Sequence, residues 1–148
     1  MRNTGLSRVT VFLLMNRQRA MRSHGGWRLL SPAIRSITWG WLLLLGAEIP
    51  AAVRIGRGLI LPHAGRGVII HPNTLIGQDV TIYHRCTIGV RGSSSDAPRI
   101  GDGAYLGAHA VVLGDIEVGA RSRIGAGAVV IRDVEAGTTV TGVPATKS

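Results

Sequence analysis

Apolar positions follow two rules along this chain. In the first 47 residues they cluster in runs of helical pattern, Val9 to Met15 and Ile37 to Ala47, in a leader whose charged residues are all basic. From residue 49 onward they count in sixes. Hexads open at Ile49, Ile55 and Leu61, then at Ile70, Ile76, Ile82 and Ile88. A third block opens at Ile100, Leu106, Val112, Val118, Ile124, Val130 and Ala136. Thirteen of these fourteen positions are Ile, Leu or Val, and eight are followed by Gly (Gly56, Gly77, Gly89, Gly101, Gly107, Gly119, Gly125, Gly137). The fifth position of the hexad is small or branched, as in Val53, Thr74, Val80, Cys86, Ala104, Ala110, Ser122 and Ala128.

A six-residue period is one short strand plus one corner. The opening aliphatic points inward, and glycine follows where a side chain would crowd the turning backbone. Three such sides close a triangular coil, and stacked coils turn the aliphatics into ladders. A coiled coil needs a period of seven, and a helix carrying these glycines would lose about 1 kcal/mol at each relative to alanine. The pattern therefore predicts a mainly β chain: a helical leader over residues 1–47, with one or two helices between residues 4 and 46, and a repeat domain over 48–148. The β-solenoid itself is expected from about residue 48 to 142, in between four and five coils.

Composition changes this picture little. The 148 residues suit about one domain, and 45% hydrophobic against 17% charged content argues for a packed core. With one Phe, two Tyr and three Trp, that core must be aliphatic. The single cysteine, Cys86, excludes an intrachain disulfide and makes a reducing cytoplasm the simpler compartment. A net charge of +9 raises the question of nucleic acid, yet eight of the seventeen basic residues lie in the first 54 and no nucleic-acid motif accompanies them. Nucleic acid is not an expected partner. The Ile37 to Ala47 run falls short of the roughly 20 apolar residues a spanning helix needs. Basic residues after Met15 fit a secretory signal poorly. A leader lying on another subunit, or peripherally on a membrane surface, fits both runs.

Chemistry is expected where the count breaks. Leu61 to Ile70 is a step of nine, and His63-Ala-Gly-Arg-Gly fills the excess. Ile88 to Ile100 is a step of twelve, bridged by a polar loop from Val90 to Arg99. His63 is the candidate general base, because imidazole titrates near neutrality. His84 and Arg91 are candidates for an acceptor pocket. His71, before Pro72, reads as a corner residue, His109 as a contact on a coil edge, and His24 has no identifiable partner. Cys86, in a fifth-position slot, reads as core rather than nucleophile.

The stretch from Glu48 to Gly142, about two thirds of the chain, resembles the hexapeptide-repeat acyltransferases. Within them it is similar to serine acetyltransferases and to the acetyltransferases of exopolysaccharide and colanic-acid gene clusters. The resemblance rests on Glu48-Ile-Pro-Ala-Ala, Ile55-Gly-Arg-Gly-Leu, Leu61-Pro-His-Ala, Val80-Thr-Ile, Thr87-Ile-Gly, Ile116-Glu-Val-Gly, Ile124-Gly-Ala-Gly-Ala-Val-Val and Gly142-Val-Pro-Ala. It implies a left-handed parallel β-helix, a homotrimer, and acetyl-CoA as cosubstrate without a metal. It implies His63 as base, with Glu48, fifteen positions earlier, as its orienting acid where the family usually carries Asp. It also implies that Gly107, Ala108, Gly125 and Ala126 line the pantetheine groove, with Arg123 and Lys147 as candidates for the phosphates. Zinc carbonic anhydrases with this repeat pair two histidines five residues apart, a spacing absent here.

Two departures bear on the acceptor. Pro62 replaces the family's Asp before the base, and Asp96-Ala97 replaces the Arg-His pair that engages an amino acid. A zwitterion needs fixed charges at both ends, which these departures remove. The Pro62-His63 pair and the Val90-Arg91-Gly92 loop resemble the polysaccharide-cluster branch instead, a resemblance that implies the hydroxyl of a polysaccharide-related sugar as acceptor. Free L-serine is the alternative, and a catalytically silent scaffold is the alternative from another class.

Overall fold

The computed structural model describes residues 5–22, 27–93 and 95–147. Two helices, α1 (Gly5–Arg22) and α2 (Trp27–Leu44), precede a stack of short strands. The strands are β1 (Arg54–Ile55), β2 (Ile69–Ile70), β3 (Leu75–Ile76), β4 (Thr81–Ile82), β5 (Thr87–Gly89) and β6 (Arg99–Ile100). There follow β7 (Tyr105–Leu106), β8 (Val111–Leu113), β9 (Glu117–Val118), β10 (Arg123–Ile124), β11 (Val129–Val130), β12 (Thr139–Thr141) and β13 (Thr146–Lys147).

Strands at equivalent places on successive coils pair in parallel. The faces are β1-β3-β6-β9, β2-β5-β8-β11 and β4-β7-β10-β12, and β13 turns back antiparallel on β12. Single bridges extend each face by one level, through Val134, Glu48 and Ile60. The result is a left-handed parallel β-helix of five levels, the upper end of the expected range. Ile69 stands under Thr87 and Val111 under Val129, one regular turn of three hexads, whereas Thr87 stands under Val111, one turn plus the inserted loop.

The strands alternate in-out-in, so two of every six side chains are internal. The fifth-position residues Val53, Val80, Cys86, Ala104, Ala110 and Ala128 are buried with the hexad openers Ile55, Ile82, Ile88, Leu106, Val112 and Val130. The frame read from the sequence holds until the last level. There Ala136 is exposed, and the inward positions are Val134 and Val140. The final side is two residues short, so that Val134 can bridge Val118.

The recurrent glycine has a clear cause. At Gly101 an added Cβ would stand 2.6 Å from the backbone nitrogen of Ala120 on the next level. Its side chain is excluded by the coil above it. Left-handed backbone falls two residues later instead, at Gly58, Asp79, Gly103 and Arg121 along one edge.

α1 closes the N-terminal end of the solenoid. Its buried side, Ser7, Thr10, Leu14 and Gln18, has helical spacing. The Gln18 side-chain amide donates to the Val53 carbonyl at 2.7 Å, and Trp41 of α2 donates its indole N–H to Thr10 Oγ1 at 2.9 Å. Among the described residues no helix is long and apolar enough to cross a membrane.

Gly101→Ala should destabilise the chain by about 1–3 kcal/mol, since the new methyl must push two levels apart. Gly40→Ala, whose Cβ meets nothing within 4 Å on α2, should stabilise it by up to about 1 kcal/mol. Urea unfolding of the two variants checks the packing; a neutral Gly101→Ala would contradict it.

Candidate active site

The nine-residue step between Leu61 and Ile70 folds as a tight corner over Pro62–Gly65. His63 (φ 57°, ψ 30°), Ala64 (φ 61°, ψ 15°) and Gly65 (φ 73°) all lie in the left-handed region. For two consecutive non-glycine residues that conformation costs roughly 1–2 kcal/mol each. Contacts around the corner hold it. The buried Ala64 N–H donates to Ser7 Oγ of α1 at 3.1 Å, and the Val68 N–H donates to the Gly65 carbonyl at 3.1 Å. The His63 imidazole is left exposed.

Below it runs the edge joining the third face of each level to the next strand. His84, Ala108 and Ala126 take equivalent places on successive levels. Their carbonyl partners show the equivalence: His109 N–H donates to His84 O and Gly127 N–H to Ala108 O. Three imidazoles meet at the top. The His63 and His84 rings are 4.9 Å apart between centroids at 86°, and those of His84 and His109 are 5.5 Å apart at 80°. They line a cavity of about 600 Å³ with Arg66, Arg85 and the Leu45–Gly46 end of the leader. Among the described residues, no group of three or more His, Cys, Asp or Glu is disposed to hold a metal ion.

The cavity is electropositive, which acts on its own members. His84 Nδ1 is buried without a hydrogen-bond partner among the described residues. Burial, then the charges of His63, His109 and Arg85, hold its pKa below the ordinary 6.5. His84 is therefore neutral at neutral pH. The unfolded chain takes up this proton more readily than the folded one. The His84 contribution to stability is thus fully present above about pH 6.5 and is lost as pH falls through its lowered pKa.

A second row of rings leads down the neighbouring face. Tyr83 lies 6.2 Å from His63 and 5.3 Å from Tyr105, and the Arg123 guanidinium sits 4.4 Å above the Tyr105 ring. Burial is the main cause of a raised Tyr105 pKa. Neither tyrosine was singled out in the sequence, although Tyr83 stands where most hexads carry Gly. Ser7 leaves no sequence signal, lying 57 residues from Ala64.

The expected site residues fall in several places. His63 and His84 share the cavity, and Gly107, Ala108, Gly125 and Ala126 lie along the edge beneath them. Gly107 packs tightly under the Ala126 nitrogen, whereas the space around Gly127 is open. Glu48 is not among the residues lining the cavity. It lies in a separate groove of about 880 Å³ between α2 and the first coil, with Trp39, Leu43 and Ile69. Gly46 borders both spaces, and no hydrogen bond or ion pair joins Glu48 to His63 among the described residues. Arg91 is exposed at the start of the 90–98 loop, beside Gly114 and outside the cavity. Lys147 pairs with Glu135 at 3.1 Å, both exposed. His71 accepts the Asn73 N–H at its corner, at 3.3 Å. Cys86 is buried, donates to the Gly107 carbonyl at 3.0 Å, and has its thiol pushed up to about 11 by burial, as suits a core residue. His24 lies outside the described residues.

Residues 97–132 match the family model described as bacterial transferase hexapeptide (six repeats). The chain is 45% identical over 120 residues to the serine acetyltransferase of Helicobacter pylori, covering 80% of this chain and 66% of that one. It is 49% identical over 72 residues to the putative colanic acid biosynthesis acetyltransferase WcaB of Escherichia coli, covering 48% and 44%. Among solved structures, the serine acetyltransferase of Brucella abortus in complex with coenzyme A superposes with a TM-score of 0.79 at 29% identity, covering 93% and 53%. The chain spans between 22% and 66% of the length of the curated relatives it matches.

Imidazole NMR should show His84 titrating below 6.5, with its midpoint rising in His63→Ala, which removes both a covering ring and a like charge. A His84 midpoint at or above 6.5 in the unsubstituted protein would contradict the arrangement of the three rings.

Proposed function

Because the chain belongs to the serine-acetyltransferase-like hexapeptide-repeat transferases, we propose that it moves an acetyl group from acetyl-CoA to an acceptor hydroxyl on a polysaccharide-related sugar. The observation that carries this reading is one edge of the solenoid. An exposed His63 on a strained corner stands at its head, and a strip of small residues lies beneath.

In this reading neutral His63 takes the acceptor hydroxyl proton as the oxygen attacks the thioester carbonyl. When the carbon–sulfur bond breaks, the imidazolium returns that proton to the departing thiolate. A neutral His84 beside it adds no competing cation and leaves a ring nitrogen to meet the acceptor. Glu48 acts across Gly46 as the acidic partner that favours the imidazolium, a role that needs its carboxylate to reach into the cavity. The residues of the edge fit an extended thioester arm: Ala108 and Ala126 hold side chains short enough for a ligand to approach the main chain, and Gly127 faces open space. Arg123, fixed over Tyr105, supplies a charge for phosphate. A homotrimer would close this edge into a groove against a neighbouring solenoid.

The acceptor has a second reading, L-serine, favoured by the serine acetyltransferases among the relatives and structural neighbours. Pro62 and Asp96-Ala97 weigh against it, because they remove the polar contacts a free amino acid requires. The colanic-acid relative favours the sugar.

Thiol release from acetyl-CoA should be at least about tenfold faster in kcat/KM with nucleotide-linked or lipid-linked sugars than with L-serine, and chelator should leave it unchanged. Glu48→Gln should lower kcat without abolishing it. Preference for L-serine would establish the second reading, and absence of turnover with every acceptor would point to a scaffold.

A further inference from the structure

We propose that the outer face of α1 seats the protein on an anionic lipid surface. One side of this helix is committed to the solenoid through Ser7, Leu14 and Gln18. With 3.6 residues per turn, Leu6, Val9 and Phe12 project from the opposite side, away from the coils. They are 56%, 42% and 66% exposed, and Arg8 is exposed beside them. Isolated exposed apolar residues are ordinary; a helix face that carries three of them is not.

Charge selects the occupant. The first 47 residues contain seven arginines and no Asp or Glu, so the leader is cationic without compensation. An apolar stripe beside Arg8, in a leader without a carboxylate, matches the anionic head groups and acyl boundary of a bilayer. Arg8 reaches a phosphate while Leu6, Val9 and Phe12 enter the boundary layer. A second copy of the chain would set arginine against arginine at the same face. The helix would lie on the surface, since it is not long and apolar enough to span.

Seating also has a geometric consequence. Ser7, next to Leu6, is hydrogen-bonded to the His63 corner. Docking therefore leaves the His63 corner about one helix diameter, roughly 10–12 Å, from the bilayer, close to where a lipid-anchored acceptor would present its hydroxyl. That last step rests on the acetyl-transfer reading; the docking does not.

The test is co-sedimentation of the full chain with phosphatidylcholine vesicles, with and without phosphatidylglycerol. Binding should be at least about tenfold tighter to the anionic vesicles and should weaken with added salt. Phe12→Asp should reduce it by about tenfold or more, as should Leu6→Gln on the same face, which carries the test if Phe12→Asp fails to fold by circular dichroism. Val143→Asp, exposed at the other end of the solenoid, should bind like the unsubstituted chain. No binding, equal binding to both vesicle types, or unimpaired binding by folded Phe12→Asp and Leu6→Gln would overturn the proposal. So would a lipid-independent oligomer that these substitutions dissociate, which would assign the face to a second copy. Because vesicle binding is read without turnover, its failure is distinct from failure of the enzymatic reading.

Discussion

The interior of this solenoid has room for two inward side chains per side, and every other feature is subordinate to filling it. Each side presents an aliphatic and, two residues before it, a second small or branched residue; both are sealed from water by the levels above and below. Since burial of a Val, Leu or Ile contributes roughly 1.5–3 kcal/mol, a one-residue slip on any side would turn this pair outward and forfeit it. Register is thereby enforced strand by strand, although most strands are only two or three residues long. The same constraint explains the glycines, which stand where successive backbones approach too closely for a Cβ.

Chemistry then has to be placed where the count is interrupted. The corner carrying His63 adds three residues without disturbing the ladder: Ile60 and Ile70 still find partners on the next level. The excess is absorbed by left-handed backbone, and the leader helps hold it there through Ser7. α1 is therefore part of the candidate site as well as a cover for the end of the core. A corner held from outside the repeat can keep an exposed imidazole in place at the edge of the solenoid.

Much of this was legible in the residues because the repeat is a one-dimensional code. The small-residue edge is what the family resemblance implied, while the inward positions and the two interruptions follow from counting. Three things did not. The last level closes on Val134 instead of Ala136, because a shortened side satisfies the ladder better than a regular hexad with alanine would. Glu48 sits where the family pattern puts its acid, yet spacing along the chain does not say which side of Gly46 its carboxylate occupies. The Ser7 contact and the ring row from Tyr83 to Arg123 join distant levels through side chains, which a period in the backbone does not encode.

The central claim is that the interrupted corner exists to hold a base. The most direct measurement compares kcat of His63→Ala and His84→Ala for acetyl transfer, with unfolding midpoints confirming that both variants keep the solenoid. The account predicts a loss of about 10²–10⁴ for His63→Ala, the range for a positioned acid–base group, and a smaller one for His84→Ala. An active His63→Ala protein beside an inactive, folded His84→Ala protein would contradict it and move the base one level down the edge.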